Sequence, residues 1–179
     1  MYIMNESKYK KISNIRVSSA DRFAQLVAMG EVIFTVQDVA TIWQIKNPQT
    51  LRMLLMRYVK RRLLYRIWRG LYSVVPPKKI NPMLLGIKML HRYAYISCET
   101  ALFNAGLINQ RPTEITIISN ASKRFSLFGC HYRSRQMHDS ILYDTTGIVL
   151  KNGIRMATPE RAKRDMNYFN SKRYYDLSR

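Results

Sequence analysis

Asn47-Pro48-Gln49-Thr50-Leu51-Arg52-Met53-Leu54-Leu55-Met56-Arg57-Tyr58-Val59-Lys60 is the stretch that decides the fold of the first half of the chain. An Asn followed by Pro opens a helix. The Asn side chain accepts an otherwise free N–H, and Pro at the first helical position lacks an N–H that no helical carbonyl would have met. Leu51, Leu54, Leu55, Tyr58 and Val59 then recur at i, i+3, i+4, i+7 and i+8, which makes one buried face. At about 100° per residue the opposite face carries Gln49, Met53, Met56 and Lys60, flanked by Thr50, Arg52 and Arg57. Hydrogen-bonding groups lie near the start and cations further along. A recognition helix has this layout, with base-reading groups near its N-terminus and phosphate-binding groups around them.

The flanking segments fit the same architecture. Gln44-Ile45-Lys46 is a short turn, and residues 36–43 read as a helix that Thr35 caps and that buries Val39, Ala40 and Trp43. Val32-Ile33-Phe34 reads as a short strand. A first helix spans 19–29, with Ser18 or Ser19 as cap, Asp21 at its positive end, Phe23, Leu26 and Val27 as its apolar stripe and Gly30 as terminator. On the other side, 64–68 and 71–75 are rich in β-formers around Arg69-Gly70, a hairpin whose turn Gly70 permits. The predicted unit is a winged helix-turn-helix. Its candidate DNA contacts are Asn47, Gln49, Thr50, Arg52, Met53, Arg57, Lys60 and Arg61 on the helix, and Arg66 and Arg69 at the wing tip, beside the backbone or minor groove. Gln49, Thr50 and Arg52 are expected to read bases, while Arg57 and Lys60 hold phosphates.

Charge supports a polyanionic partner. The 179 residues carry 30 Lys and Arg against 11 Asp and Glu, a net charge of +19. Such a field concentrates nucleic acid. Residues 1–80 contribute +11 and residues 81–179 contribute +8, so both halves share it. No apolar run has the roughly 18 residues of a membrane span. Residues 1–11 lack the apolar core and cleavage site of a signal peptide. Cys98 and Cys130, the only cysteines, read as reduced thiols of a cytoplasmic protein.

Pro76-Pro77-Lys78-Lys79 divides the chain into a DNA-binding domain, 1–79, and an α+β domain, 80–179. In the second, Asn81-Pro82 opens a helix to about residue 92. Tyr95-Ile96 leads into Ser97, which is expected to cap a helix ending at Gly106. Strand-like runs follow at 114–119, 124–128, 131–134 and 148–150, and Asn152-Gly153 turns into 154–157. Thr158-Pro159-Glu160 caps a last helix of about a dozen residues. The expected fold is α+β with an antiparallel sheet. Lys123, Arg124, Arg133 and Arg135, on adjacent strands, form a possible second basic patch.

These stretches resemble the AbiEi-type antitoxins, transcriptional regulators of the abortive-infection (type IV) toxin–antitoxin systems. The residues that carry the resemblance are Phe34-Thr35, Thr50-Leu51 with Leu54-Leu55, Leu63 to Tyr72 ending Arg69-Gly70-Leu71-Tyr72, Tyr95-Ile96-Ser97 with Thr100-Ala101-Leu102, Gly106-Leu107-Ile108, Ile115 to Ser119, and Ala157-Thr158-Pro159-Glu160-Arg161-Ala162. The resemblance implies a winged-helix repressor of its own operon, with a second domain tied to antitoxin action on a nucleotidyltransferase-like toxin. Family members often continue beyond the Pro-Glu-Arg-Ala element, whereas this sequence ends at Arg179, and Lys163 and Arg164 stand where an apolar pair is expected.

Catalysis finds little in the sequence. Cys98, Cys130, His131 and His138 lack the CxxC or HExxH spacing that presets a metal site, and neither a Gly-rich phosphate loop nor a nucleophile elbow occurs. No catalytic residue, metal or cofactor is assigned. Two other readings stay open: an antitoxin acting by direct protein contact, and a mobile-element defence nuclease built on Asp139, Asp144, Lys151 and Glu160.

Overall fold

In the computed structural model, which describes residues 17–176, side-chain caps set where the first helices begin. The expectation about a signal peptide at residues 1–11 lies outside the described residues. Helix α1 (Ser19–Ala28) and helix α2 (Val36–Ile42) each start with a reciprocal capping box, Ser18 with Asp21 and Thr35 with Asp38. Helix α3 (Pro48–Lys60) starts at Asn47, whose Oδ1 accepts the N–H groups of Gln49 at 2.8 Å and Thr50 at 3.2 Å. Each cap is worth about 1 kcal/mol. Strands β1 (Ile33–Thr35), β2 (Tyr65–Trp68) and β3 (Leu71–Ser73) form an antiparallel sheet in the order β1-β3-β2. Leu26, Phe34, Val39, Trp43, Leu51, Leu55, Tyr58, Leu64 and Tyr72 make one core beneath these elements.

The chain divides into two units, Met1–Val75 and Pro76–Arg179, which places the division just before Pro76. After a 3-10 turn at Pro77–Lys79, the second unit contains α4 (Pro82–Met89), β4 (Ala94–Ile96), α5 (Cys98–Asn104), β5 (Ile115–Ser119), β6 (Lys123–Leu127), β7 (Cys130–Gln136), α6 (Asp139–Leu142), β8 (Ile148–Lys151), β9 (Ile154–Ala157) and α7 (Pro159–Asp176). The mixed α+β character is as expected, but the sheet is not antiparallel. Its six strands run in the order β6-β7-β5-β4-β9-β8, with β5–β7 and β4–β9 parallel. The parallel pairs arise because β7 returns inside β6, and because β9 reaches β4 only after a long crossover. No described helix is long and apolar enough to cross a membrane.

Alternation along the strands places helices on both sheet faces. Ile117 and Tyr132 point toward α4, where Gly86 leaves room for them. A Cβ on Gly86 would lie 2.6 Å from the Tyr132 ring and 2.9 Å from Ile117. On the other face Thr116 is tied to α5, its N–H donating to Thr100 Oγ1 at 2.9 Å. That face holds the core of Tyr95, Cys98, Ala101, Leu102, Ile118, Met137, Leu142, Ala162 and Phe169.

Within this core lies a charged network. Arg161 is 2% exposed, and all its guanidinium nitrogens are engaged. Nε donates to Asp165 Oδ1 at 2.9 Å. Nη1 donates to the carbonyls of Asp144 and Thr146, and Nη2 donates to the Tyr95 hydroxyl and the Ile141 carbonyl. Asp165 Oδ2 in turn accepts from Ser97 Oγ at 2.6 Å and from the Tyr95 hydroxyl at 3.2 Å. Ser97 was expected to cap α5. It occupies the cap position, but its hydroxyl makes no cap bond, because the buried carboxylate takes it. Burial pushes the Tyr95 phenol well above its usual range, so it stays a neutral donor and acceptor.

Two outcomes test this packing. Arg161→Met leaves Asp165 buried without its counter-charge and should cost about 3–5 kcal/mol in urea unfolding, with part of the loss recovered by Arg161→Met with Asp165→Leu. Gly86→Ala should destabilise by about 1–3 kcal/mol, because the overpacking against Tyr132 outweighs the gain of roughly 1 kcal/mol in helix propensity. The same measurement reads it, and a stabilised Gly86→Ala protein would refute the close approach.

Candidate nucleic-acid interface

Helix α3 is oriented by its inner face. Leu51, Leu55 and Tyr58 are buried. The Tyr58 ring packs on Trp43 at 4.9 Å between centroids, and its hydroxyl donates to the Ser19 carbonyl at 2.8 Å. Trp43 Nε1 donates to the Arg22 carbonyl at 2.9 Å, so both aromatic side chains also hold α1. The turn into α3 is fixed by the end of α2, where Ile45 N–H donates to Ala40 O and Gln44 N–H to Thr41 O. Gln44 takes φ +53°, the left-handed helix-ending conformation usually given to Gly.

With the inner face committed, Gln49, Thr50, Arg52, Met53, Met56, Arg57 and Lys60 are all exposed. Met53 and Met56 are 52% and 63% exposed, an apolar strip among polar neighbours. Asn47 uses its side-chain oxygen as the cap, leaving only its amide nitrogen for other contacts. Arg61 points back to α1, where Nη1 donates to Ser19 Oγ at 3.0 Å. An open groove lies between the start of α1 and α3, lined by Val17, Arg22, Gln49, Thr50, Met53, Leu54 and Arg57. Arg22 was not among the candidate contacts, because it lies in a helix distant along the chain.

The hairpin of β2 and β3 presents Arg66 and Arg69, both exposed. Its register pairs Tyr65 with Ser73, Arg66 with Tyr72 and Trp68 with Leu71, with an irregularity between Arg66 and Trp68. Gly70 closes the turn at φ +80°. Trp68, 54% exposed, stands beside the two cations and was not among the sequence candidates. The hint was available in a β-former run whose alternation sends Ile67 inward and Trp68 outward.

In the second unit three of the four expected patch residues, Arg124, Arg133 and Arg135, share one face of the sheet, and Lys123 does not. Arg124 pairs with Arg133 across the β6–β7 ladder, but Lys123 pairs with Ser134 and so points to the opposite face. Arg124 lies 3.4 Å from Glu114, and the Arg135 guanidinium stacks over Phe169 at 3.7 Å. Arg133 lines a cleft with Glu99, Arg111 and Glu114. Several of the residues considered for metal or nuclease chemistry have local structural partners. Cys98 is buried, and burial pushes its thiol up to about 12. His131 Nδ1 meets Ser126 Oγ and His138 Nδ1 meets Ser140 Oγ, each at 2.8 Å. Asp139 starts α6, Glu160 lies in the first turn of α7, and Asp144 Oδ1 accepts the Thr146 N–H. Among the described residues no group of three or more His, Cys, Asp or Glu is arranged to hold a metal.

No protein-family model matches the chain, and no curated protein matches it. Among solved structures the chain is similar to the RV2827C protein from Mycobacterium tuberculosis, with 16% sequence identity and a TM-score of 0.49. The similarity covers 82% of this chain and 59% of that one, so the chain spans less than two thirds of that protein's length.

Proposed function

We propose that the chain is a DNA-binding transcriptional regulator whose first unit works as a winged helix-turn-helix, with α3 in the major groove and the β2–β3 hairpin as the wing. The observation that carries this reading is the outer face of α3. It begins with the hydrogen-bonding side chains Gln49 and Thr50 and continues into Arg52, Arg57 and Lys60, all exposed. The order of elements supports it, since α2, a short turn and α3 are followed directly by the hairpin. So does the charge of +19. In this reading Gln49, Thr50, Arg52 and Met53 face base edges, Met53 offering an apolar contact to a thymine methyl. Arg57, Lys60, Arg66 and Arg69 meet phosphates, and Arg61 orients α3 against α1.

The resemblance to AbiEi-type antitoxins extends the proposal. The regulated operon would be its own, shared with a nucleotidyltransferase-like toxin, and the second unit would serve antitoxin action. The bound sequence is found by selecting from a random duplex pool. On the selected duplex, Gln49→Ala or Arg52→Ala should cost about 1–3 kcal/mol and relax preference at one position, while folding stays normal. Unchanged affinity and preference in both variants would sink the assignment of α3.

Phosphate contacts have a separate signature. Each one lost should make the slope of log affinity against log salt shallower by about 0.9. Arg66→Ala with Arg69→Ala, and separately Arg57→Ala with Lys60→Ala, should therefore flatten a salt titration while weakening all sequences alike. An unchanged slope for the hairpin pair would place the wing away from DNA.

A further inference from the structure

The exposed indole at the hairpin tip calls for a partner. Trp side chains are mostly buried in folded domains, and Trp43, the other Trp of this chain, is 7% exposed against 54% for Trp68. The exposure of Trp68 is built into the strand. Ile67 is buried, and Leu71 across the ladder is fully buried, which pins both strands to the core. The register shift between Arg66 and Trp68 sets two residues against Leu71, the kind of bulge that re-aims a side chain. Gly70, at φ +80°, closes the turn immediately beyond. The result is a flat apolar ring on a pinned strand, with exposed Arg66 and Arg69 on either side.

We propose that Trp68 is a DNA-anchoring residue: its indole enters the minor groove and packs on sugar and base edges, while Arg66 and Arg69 meet the flanking phosphates. This rests on the DNA-binding reading of the first unit. Apolar side chains flanked by cations suit the minor groove, where a ring contacts any sequence. An anionic lipid surface also attracts aromatic and cationic groups, but it takes up a continuous apolar face. Here the neighbours Ile67, Leu71 and Tyr72 are buried, and Trp68 is the only strongly exposed apolar side chain of the described hairpin. The contact would add affinity without base preference, which complements a reading helix.

Two tryptophans, one buried and one exposed, make the test direct. Acrylamide should quench the Trp68 emission of the free full-length protein, and a short mixed-sequence duplex should protect it. In Trp68→Phe the remaining Trp43 emission should be insensitive to the duplex. By anisotropy with a labelled duplex, Trp68→Ala should bind about tenfold more weakly, the scale of one lost aromatic contact, with the salt slope unchanged because no phosphate contact is lost. A duplex that binds by anisotropy while Trp68 stays open to acrylamide overturns this proposal and leaves the DNA-binding reading standing. Absence of any duplex binding overturns both. Protection by anionic phosphatidylserine vesicles but not by the duplex assigns the indole to a membrane surface and overturns it as well.

Discussion

The outer face of α3 depends on where Tyr58 is held. Its ring packs against Trp43 and its hydroxyl donates to the Ser19 carbonyl. Trp43 reaches the Arg22 carbonyl in the same way. Each aromatic side chain thus gives apolar area to the core and a polar tip to α1, which suits a residue with one apolar body and one donor. Burial pushes the Tyr58 phenol upward, so the donor persists across the physiological range. Three helices are locked by two side chains, and the helix rotation that buries Leu51 and Leu55 necessarily presents Gln49, Arg52 and Met53 outward.

The second unit is organised around a different kind of interaction. Arg161 and Asp165 sit one turn apart on α7, and their buried charges gather β4, the α5 start and the segment between α6 and β8. Desolvation works against the charged guanidinium, yet its bonds to Asp165 and Tyr95 more than offset this and raise its pKa further. Such a network contributes less to stability than to uniqueness when its members are all satisfied. Gly147, at φ +76°, passes so close that a Cβ there would lie 2.9 Å from Arg161 Cβ, so the loop is fitted to the arginine.

Both units carry exposed cations, and the second also internalises one. In the first, Arg52, Arg57, Lys60, Arg66 and Arg69 are exposed, a distribution that suits a polyanion. In the second, Arg161 is internal, Arg124 faces Glu114 and Arg135 covers Phe169.

Local features were legible in the residues alone. The Asn47-Pro48 start, the spacing of Leu51, Leu55 and Tyr58, the turn at Gly70 and the polar outer face of α3 follow from caps, helical period and backbone freedom, which act within a few residues. Features that join residues distant along the chain came from the closing of the fold. It set the parallel pairing of β4 with β9 and β5 with β7, the opposite faces of Lys123 and Arg124, the engagement of Arg61 with Ser19, and the burial of Arg161 in a segment that reads as an ordinary helix start. Strand periodicity names the face of each residue relative to its neighbours but not the partner strand. The partner of a long polar side chain is fixed only when the core closes around it.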